Sequence, residues 1–187
     1  MICGIDEAGR GPLAGPVCAA AVILSEDFPK ETLNDSKKMT PERREEVRSI
    51  IYEKALCWGI GWASHTEIDK INILQASLLA MKRAFEDMLK RTSVPLGEDV
   101  SAVIDGIYTP CIAIPCTAMV KADSKVCEVM AASILAKTER DIHMEKMSKL
   151  YPQYGYEKHK GYPTKAHREA VLKYGASPIQ RLTFKVK

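Results

Sequence analysis

Two apolar segments joined by a glycine-rich turn open the chain and limit what it can fold into. Residues 2–6 are apolar up to a final acid, and residues 16–24 are apolar and include β-branched side chains. Three glycines, at positions 9, 11 and 15, lie between the two segments. Short apolar runs bounded by glycines are typical of buried strands joined by a turn. The chain therefore starts as a pair of strands around which the other elements must form a sheet.

Strand and helix patterns alternate along the rest of the chain. Thr40 followed by Pro41 and acidic residues is typical of a helix start with Thr40 as its N-cap. We expect a loop at residues 92–99 and an irregular segment at 152–161. These local patterns predict an α/β fold in which a mixed sheet is flanked by helices. They place strands at residues 57–63, 101–105 and 116–120, and helices at residues 41–54, 72–91, 126–150 and 164–174.

Length and composition exclude several classes of protein. The 187 residues are enough for one domain with a sizeable core. A hydrophobic fraction of 46% and a charged fraction of 27% exclude a disordered chain, a collagen-like repeat and a coiled coil. No apolar run reaches the roughly 18 residues that cross a bilayer. Acids at positions 6 and 7 argue against a signal peptide, so we expect a cytoplasmic protein that is not inserted in a membrane.

Positive charge is concentrated towards the C-terminus. From Lys137 onward there are 12 Lys or Arg against five Asp or Glu, whereas the rest of the chain is net negative. Such a segment fits a polyanionic partner, because Lys and Arg release counterions from phosphates, but a solvated helix face would look the same. We expect a single domain over residues 1–187, with the sheet and its helices over about residues 1–137 and a basic helical part over about residues 138–187.

Acidic residues follow three of the expected strands. Asp6 and Glu7 end the first strand, Asp105 ends a central one, and Asp123 follows the last. Sites of α/β sheets gather at strand ends, so these carboxylates converge if the strands are neighbours. A divalent cation such as Mg²⁺ or Mn²⁺ offsets the repulsion among clustered carboxylates, and two such ions catalyse in-line phosphoryl displacement. Each acid alone could also be a turn residue, and Asp123 could be a helix N-cap.

The turn between the first two strands has no standard nucleotide-binding spacing. Gly9, Arg10 and Gly11 do not form a dinucleotide fingerprint, because the following spacing is one residue too long and no helix follows. A phosphate-binding loop ending in Gly-Lys-Ser/Thr is also absent from the sequence here. Exposed backbone beside Asp6 and Glu7 could contact a sugar or a phosphate, or the segment could be only a tight turn between strands.

Six segments follow one another along nearly the whole chain, and the first is long and specific. They are residues 4–17, 35–38, 104–106, 121–125, 131–137 with 140–141, and 159–164 with 167. In this order they resemble the motifs of the ribonuclease HII family, the type 2 ribonucleases H. The resemblance implies a ribonuclease H-like fold, with a five-stranded mixed sheet, flanking helices and a helical C-terminal part.

The resemblance also implies an activity and a metal site. The family cleaves the RNA strand of RNA/DNA hybrids, and nicks duplex DNA 5′ to a single embedded ribonucleotide, leaving a 3′-hydroxyl and a 5′-phosphate. Its four acids correspond to Asp6, Glu7, Asp105 and Asp123, which would hold two Mn²⁺ or Mg²⁺ ions during catalysis. Asp141 is a second candidate for the fourth acid, but it lies deep in an expected helix, so we favour Asp123.

Substrate recognition is implied by two further matches. Gly9, Arg10 and Gly11 correspond to the turn that reads the 2′-hydroxyl, and Tyr162 corresponds to a tyrosine that stacks on the neighbouring sugar. Hydroxyl and cationic side chains near these motifs are expected to hold phosphates without reading sequence. These phosphate-binding candidates are Ser36, Lys37, Lys38, Lys121, Lys125, Lys160 and Arg168.

Two other functions remain open from the residues. One is another metal-dependent phosphotransfer enzyme on the same fold, although no ATP phosphate loop is visible; the other is a catalytically silent module that binds RNA/DNA hybrids. Dependence on a divalent cation discriminates the nuclease from the silent module. We further expect a monomer, and we do not expect a C-terminal tail that binds a sliding clamp, since the sequence stops soon after Phe184.

Overall fold

A five-stranded mixed sheet forms the centre of the computed structural model, which describes residues 1–34, 36, 38–92 and 99–186. The strand order is β3-β2-β1-β4-β5. Strand β1 pairs antiparallel with β2 and parallel with β4, β2 pairs antiparallel with β3, and β4 pairs parallel with β5. The expectation of a mixed sheet is therefore confirmed. The strands are β1 Ile2–Ala8, β2 Val17–Leu24, β3 Ala55–Ala63, β4 Ser101–Asp105 and β5 Cys116–Met119.

Helices cover both faces of this sheet and form the C-terminal part. Short 3₁₀ turns at Lys30–Thr32, Ala122–Ser124 and Pro152–Tyr154 connect them to their neighbours. Within the described ranges, no helix is both long and apolar enough to cross a membrane. Of the loop expected at residues 92–99, positions 93–98 lie outside the described residues. The helices are α1 Pro41–Lys54, α2 His65–Arg91, α3 Cys127–Leu150, α4 Tyr156–His159 and α5 Lys165–Tyr174.

Helix α2 begins seven residues before the start that the sequence predicted. Ser64 and Glu67 form a capping box, in which the Ser64 hydroxyl accepts from the Glu67 N–H and the Glu67 carboxylate accepts from the Ser64 N–H. The predicted start at Asn72 was wrong, but it coincides with a real break in the helix. Asn72 has φ of 67°, and its side chain accepts a hydrogen bond from the Gln75 N–H, as an N-cap does.

Alternating side chains of β2 divide the core into two layers. Residues such as Ala19 and Ala21 face the cluster that contains α2, whereas Ala20 and Val22 face the cluster that contains α1 and α3. A third cluster joins Ala14, in the glycine-rich turn, to Met144, Tyr154, Tyr156 and Ile179 of the C-terminal part. This third cluster brings the C-terminal part against the turn that follows β1. A single domain with a C-terminal part from about residue 138 stays a prediction.

Candidate active site

Three aspartates converge at one edge of the sheet. Asp6 lies near the end of β1, Asp105 ends β4, and Asp123 lies in the 3₁₀ turn that follows β5. These strands are parallel neighbours in the sheet, so their carboxyl ends meet. One carboxylate oxygen from each aspartate lies within 4.8 Å of the others. The group offers hard oxygen ligands at a spacing that suits a divalent cation.

A left-handed turn places the third aspartate. Lys121 has φ of 58°, and the Ala122 N–H then donates to Asp105 Oδ1 at 2.8 Å. Helix α3 starts only at Cys127, and its N-cap residue is Val126, so Asp123 does not occupy the N-cap position of that helix. The turn instead turns Asp123 towards the other two aspartates.

Asp141 is held elsewhere, on α3. Its carboxylate accepts from Lys137 Nζ at 2.7 Å and lies 3.5 Å from Arg44 Nη1. The group of three carboxylates contains Asp123 and not Asp141. The geometry therefore favours Asp123 as the third aspartate of the site.

The carboxylates of this site are buried close together, and their negative charge is not fully balanced by nearby cationic groups. Desolvation raises the pKa of Asp6 well above its ordinary value, and the charges of Glu7 and Asp105 raise it further. The Glu7 N–H, which donates to Asp6 Oδ1 at 2.7 Å, and the Ser133 hydroxyl oppose this rise only in part. A bound divalent cation would offset the repulsion, so the carboxylates fit a metal such as Mg²⁺ or Mn²⁺.

Glu7 lies beside the three aspartates but is not one of the group whose oxygens converge. Burial raises its pKa, and Arg10, whose Nη1 lies 3.5 Å from Glu7 Oε1, opposes that rise. The other carboxylate oxygen, Oε2, is buried and has no hydrogen-bond partner among the described residues. A buried acceptor without a donor is costly, and a cation or its bound water is a natural partner for it.

A cavity of about 240 Å³ is lined by Asp6, Glu7 and Asp105 together with the glycine-rich turn. Ser36 and Ser133, whose hydroxyls lie 2.9 Å apart, line its wall, as does Lys137. Sequence reasoning gave no role to Ser133 or Lys137, although their spacing of four residues in a helix places them on one face. The cavity is lined by Asp6, Glu7, Ala8, Gly9, Arg10, Gly11, Ser36, Asp105, Ser133, Lys137 and Tyr162.

Two buried guanidinium groups donate hydrogen bonds to the backbone carbonyls of the glycine-rich turn. Arg140 donates to the carbonyls of Pro16 at 2.9 Å, Ala14 at 3.2 Å and Lys160 at 2.9 Å. Arg181 donates to the carbonyls of Gly9, Arg10 and Gly15, and it shares the Pro16 carbonyl with Arg140. A Cβ at Gly9, which has φ of +99°, would lie only 2.0 Å from Arg140 Nε. The conformation of the turn therefore depends on the absence of a side chain at Gly9 and on two arginines that are distant in sequence.

Tyr162 lies over the same turn, at the mouth of the cavity. The residue is 39% exposed, and Cε1 of its ring would be 3.6 Å from a Cβ at Gly11. Two histidines fix its backbone: the Gly161 N–H donates to His159 Nδ1 at 3.2 Å, and His167 Nδ1 lies 3.0 Å from the Tyr162 carbonyl. The histidines thus serve the backbone around Tyr162.

Comparisons with known proteins decide the family. The Ribonuclease HII family model matches residues 3–187. Ribonuclease HII of Treponema denticola is 56% identical and covers 100% of this chain and 99% of its own length. The chain belongs to the ribonuclease HII family.

Solved structures agree with this assignment. Ribonuclease H2 from Pyrococcus horikoshii OT3 has a TM-score of 0.73 and 26% identity, covering 99% of this chain and 94% of that one. Bst-RNase HIII in complex with Mn²⁺ shares the fold, with a TM-score of 0.77 and 17% identity over 99% of this chain and 67% of that one. The expected ribonuclease H-like fold is confirmed. As a ribonuclease HII, the protein is an endoribonuclease that acts on RNA/DNA hybrids, rather than a silent binding module or an ATP-dependent enzyme.

The expected phosphate-binding residues of this ribonuclease HII differ in whether they line the cavity or are hydrogen-bonded to other protein groups. Ser36 lines the cavity, whereas Lys160 Nζ is bound to Glu145 Oε1 at 2.8 Å and to the Glu157 carbonyl at 2.6 Å. Lys125 Nζ donates to the Val120 carbonyl at 3.2 Å.

The other described candidates do not line the cavity. Lys38 and Lys121 are exposed, and Arg168 is half-buried, with its Nε buried and without a hydrogen-bond partner among the described residues. Lys37 lies outside the described residues. The binding of phosphates by any of these side chains stays a prediction.

Proposed function

We propose that the protein, besides cleaving RNA/DNA hybrids, nicks duplex DNA 5′ to a single embedded ribonucleotide and leaves a 3′-hydroxyl and a 5′-phosphate. The observation that carries this proposal is the shared cavity. Two aspartates of the three-aspartate cluster, which is suited to hydrolysis, line this cavity next to a backbone turn and a tyrosine suited to reading one sugar. The 2′-hydroxyl is the only group that distinguishes such a nucleotide from its neighbours, so the site must recognise it directly.

The carboxylates of Asp6, Asp105 and Asp123 would hold the ions, with Glu7 assisting through its unpartnered oxygen. Mg²⁺ and Mn²⁺ both suit oxygen ligands, and a structure of the related RNase HIII is described with Mn²⁺. When bound, two such ions lower the pKa of the attacking water and stabilise charge on the leaving 3′ oxygen.

The remaining residues bind and orient the nucleic acid. Gly9, Arg10 and Gly11 would contact the 2′-hydroxyl of the ribonucleotide through fixed backbone groups, which lose little entropy on binding. Tyr162 would stack on the neighbouring deoxyribose, where an additional hydroxyl would crowd its ring. Contacts to phosphates, from Ser36 and the lysines named above, would carry no sequence information, so cleavage should tolerate any sequence and weaken with salt.

The test is cleavage of a labelled DNA duplex that contains one ribonucleotide. Wild type should cut once, 5′ to the ribonucleotide, with Mg²⁺ or Mn²⁺ and not in chelator. Asp6→Asn should lose about a thousandfold in rate, since a metal ion supplies several kcal/mol and each 1.36 kcal/mol is tenfold. Asp87→Asn, which changes a carboxylate that accepts from the Ile60 N–H and from Arg91, is the matched control and should keep its rate.

Each other outcome has a definite meaning. Cleavage of a long hybrid without a nick at the single ribonucleotide would contradict the roles of the turn and Tyr162. An unchanged rate in Asp6→Asn would contradict the aspartate site. A monomeric state and a cytoplasmic location stay predictions.

A further inference from the structure

Arg181 is a fully buried arginine whose partners are all backbone carbonyls. Its Nη2 donates to the Gly9 carbonyl at 2.6 Å and to the Pro16 carbonyl at 3.3 Å, its Nη1 to the Arg10 carbonyl at 3.0 Å, and its Nε to the Gly15 carbonyl at 2.9 Å. Within the described part of the chain, no carboxylate forms an ion pair with it. A buried guanidinium usually pairs with an acid. Arg181 instead uses all its hydrogen bonds on the carbonyls of one turn, and it therefore stabilises the conformation of that turn.

These hydrogen bonds fix the direction of two N–H groups. In a planar trans peptide the carbonyl oxygen and the next N–H point in opposite directions. The Gly9 and Arg10 carbonyls point at Arg181, so the Arg10 and Gly11 N–H groups point away from it. Residues 9–11 line the cavity, and neither N–H donates to another described residue. Two backbone donors are thus left for a ligand beside the aspartates.

The segment that contains Arg181 is hydrogen-bonded to α2. Asp69 of that helix accepts hydrogen bonds from the Leu182 N–H at 2.9 Å, the Thr183 N–H at 3.0 Å and the Thr183 hydroxyl at 2.6 Å. The Phe184 ring packs 5.1 Å from the Arg181 guanidinium. Asp69 therefore fixes the segment on which the arginine lies.

We propose that Arg181, held in place by Asp69, is a positioning residue for ribonucleotide recognition: it turns the Arg10 and Gly11 N–H groups towards the 2′-hydroxyl. This inference rests on the proposed reading of the 2′-hydroxyl by the turn. Arg181 touches neither the substrate nor the aspartates, and it acts only through the backbone that it holds. Burial and the charge of Arg140 lower the pKa of Arg181 to about 9, so the side chain stays charged at neutral pH.

Discrimination between two duplexes separates positioning from mere folding. One duplex is all DNA and the other has a single ribonucleotide. Binding is measured with Ca²⁺ in place of Mg²⁺, and the same samples are checked for the absence of nicks. A loss of folded protein weakens apparent binding to both duplexes equally, so the ratio of the two Kd values reports only how well the 2′-hydroxyl is read.

Two variants and two matched controls test the proposal. Arg181→Lys keeps the charge but cannot reach four carbonyls with one ammonium group. Asp69→Ala releases the segment without changing the buried arginine. Arg83→Lys changes an arginine that also donates to a backbone carbonyl, that of Trp62 at 2.7 Å, and Asp87→Ala changes a carboxylate that also accepts a backbone N–H.

We expect wild type and both controls to favour the ribonucleotide duplex at least about tenfold, the worth of one or two hydrogen bonds. Arg181→Lys should reduce the ratio to near one, and Asp69→Ala should reduce it in part, with cooperative thermal unfolding retained. An unchanged ratio in folded variants would overturn the inference. So would failure of both variants to fold, since Arg181 would then be a purely structural residue. A ratio near one in wild type, with no nick at the ribonucleotide, would instead overturn the proposed function.

Discussion

Replacing Asp6 by asparagine should stabilise the metal-free protein while it destroys activity. The pKa of Asp6 is raised by burial and by the charges of Glu7 and Asp105, so the folded state binds a proton more tightly than the unfolded chain does. The ionised carboxylate therefore lowers stability as the pH rises above its unfolded pKa. Asparagine removes that charge, and its oxygen can still accept from the Glu7 N–H that now donates to Asp6 at 2.7 Å.

The size of the effect follows from the spacing of the cluster. Its carboxylate oxygens lie within 4.8 Å of one another. At such a distance two full charges repel by about 3 kcal/mol at an effective dielectric constant of about 20. The hydrogen bond from the Glu7 N–H to Asp6 offsets part of this cost, so we expect asparagine to add about 2 kcal/mol to the free energy of unfolding near neutral pH. For a chain of this size, that is a rise in Tm of about 4–8 °C.

Thermal unfolding in chelator and in Mn²⁺ measures it. In chelator Asp6→Asn should melt above wild type, and the difference should grow as the pH rises above about 4, the ordinary pKa of an aspartate. In Mn²⁺ the order should reverse, because an ion bound only to the folded state stabilises it by about 2.7 kcal/mol at a hundred times its Kd. Asp141→Asn is the control: that carboxylate is paired with Lys137 and Arg44, so the same change should destabilise the protein in both conditions. A variant at Asp6 that melts at or below wild type in chelator at about pH 8 would refute the reasoning.

Three further predictions concern the support of the site. Burial lowers the pKa of His167 from its ordinary 6.5, so the unfolded chain binds more protons and the free energy of unfolding should fall as the pH drops below that value; a flat urea-denaturation series would contradict this. Gly9→Ala forces a Cβ to within 2.0 Å of Arg140 at a φ of +99° and should cost about 1–3 kcal/mol and most of the nicking rate, whereas Gly11→Ala, whose Cβ meets nothing nearer than 3.6 Å, should fold like wild type in calorimetry. Ser64→Ala removes the capping box and should cost about 1 kcal/mol in chemical denaturation without a change in cleavage rate.

Local signals in the sequence were sufficient for most of the fold. Short apolar runs marked the strands, those of β1 and β4 ended in acids, and the Thr40 cap marked the start of α1. The missed start of α2 shows where such signals conflict. Asn72 breaks the helix, so the periodic pattern after it looked like a separate element, while Ser64 and Glu67 capped an earlier turn that has little apolar periodicity of its own.

The positions of the aspartates were also within reach of the sequence, because strand ends in a sheet share an edge. The support of the glycine-rich turn was not. Arg140 and Arg181 contact this turn across more than 120 residues of sequence, and nothing local distinguishes them from surface arginines. Lys160 shows the converse: a lysine next to a recognition motif looks free in the sequence, but its ammonium group is bound to Glu145.

Buried negative and positive charges lie close together in space around the end of β1 and the turn that follows it. Asp6 and Glu7 place negative charge at the end of β1 with too few donors to balance it, and Arg140 and Arg181 place positive charge under the next turn with only carbonyl partners. Neither arrangement favours the stability of the isolated chain, since burying unpaired charge is costly. Both make sense if their balance is completed from outside. Cations would balance the carboxylates, and a ligand hydroxyl would accept from the N–H groups that Arg181 turns outwards. The same buried groups that lower the stability of the isolated chain at this edge of the sheet would then bind the metal and the ribonucleotide at one place.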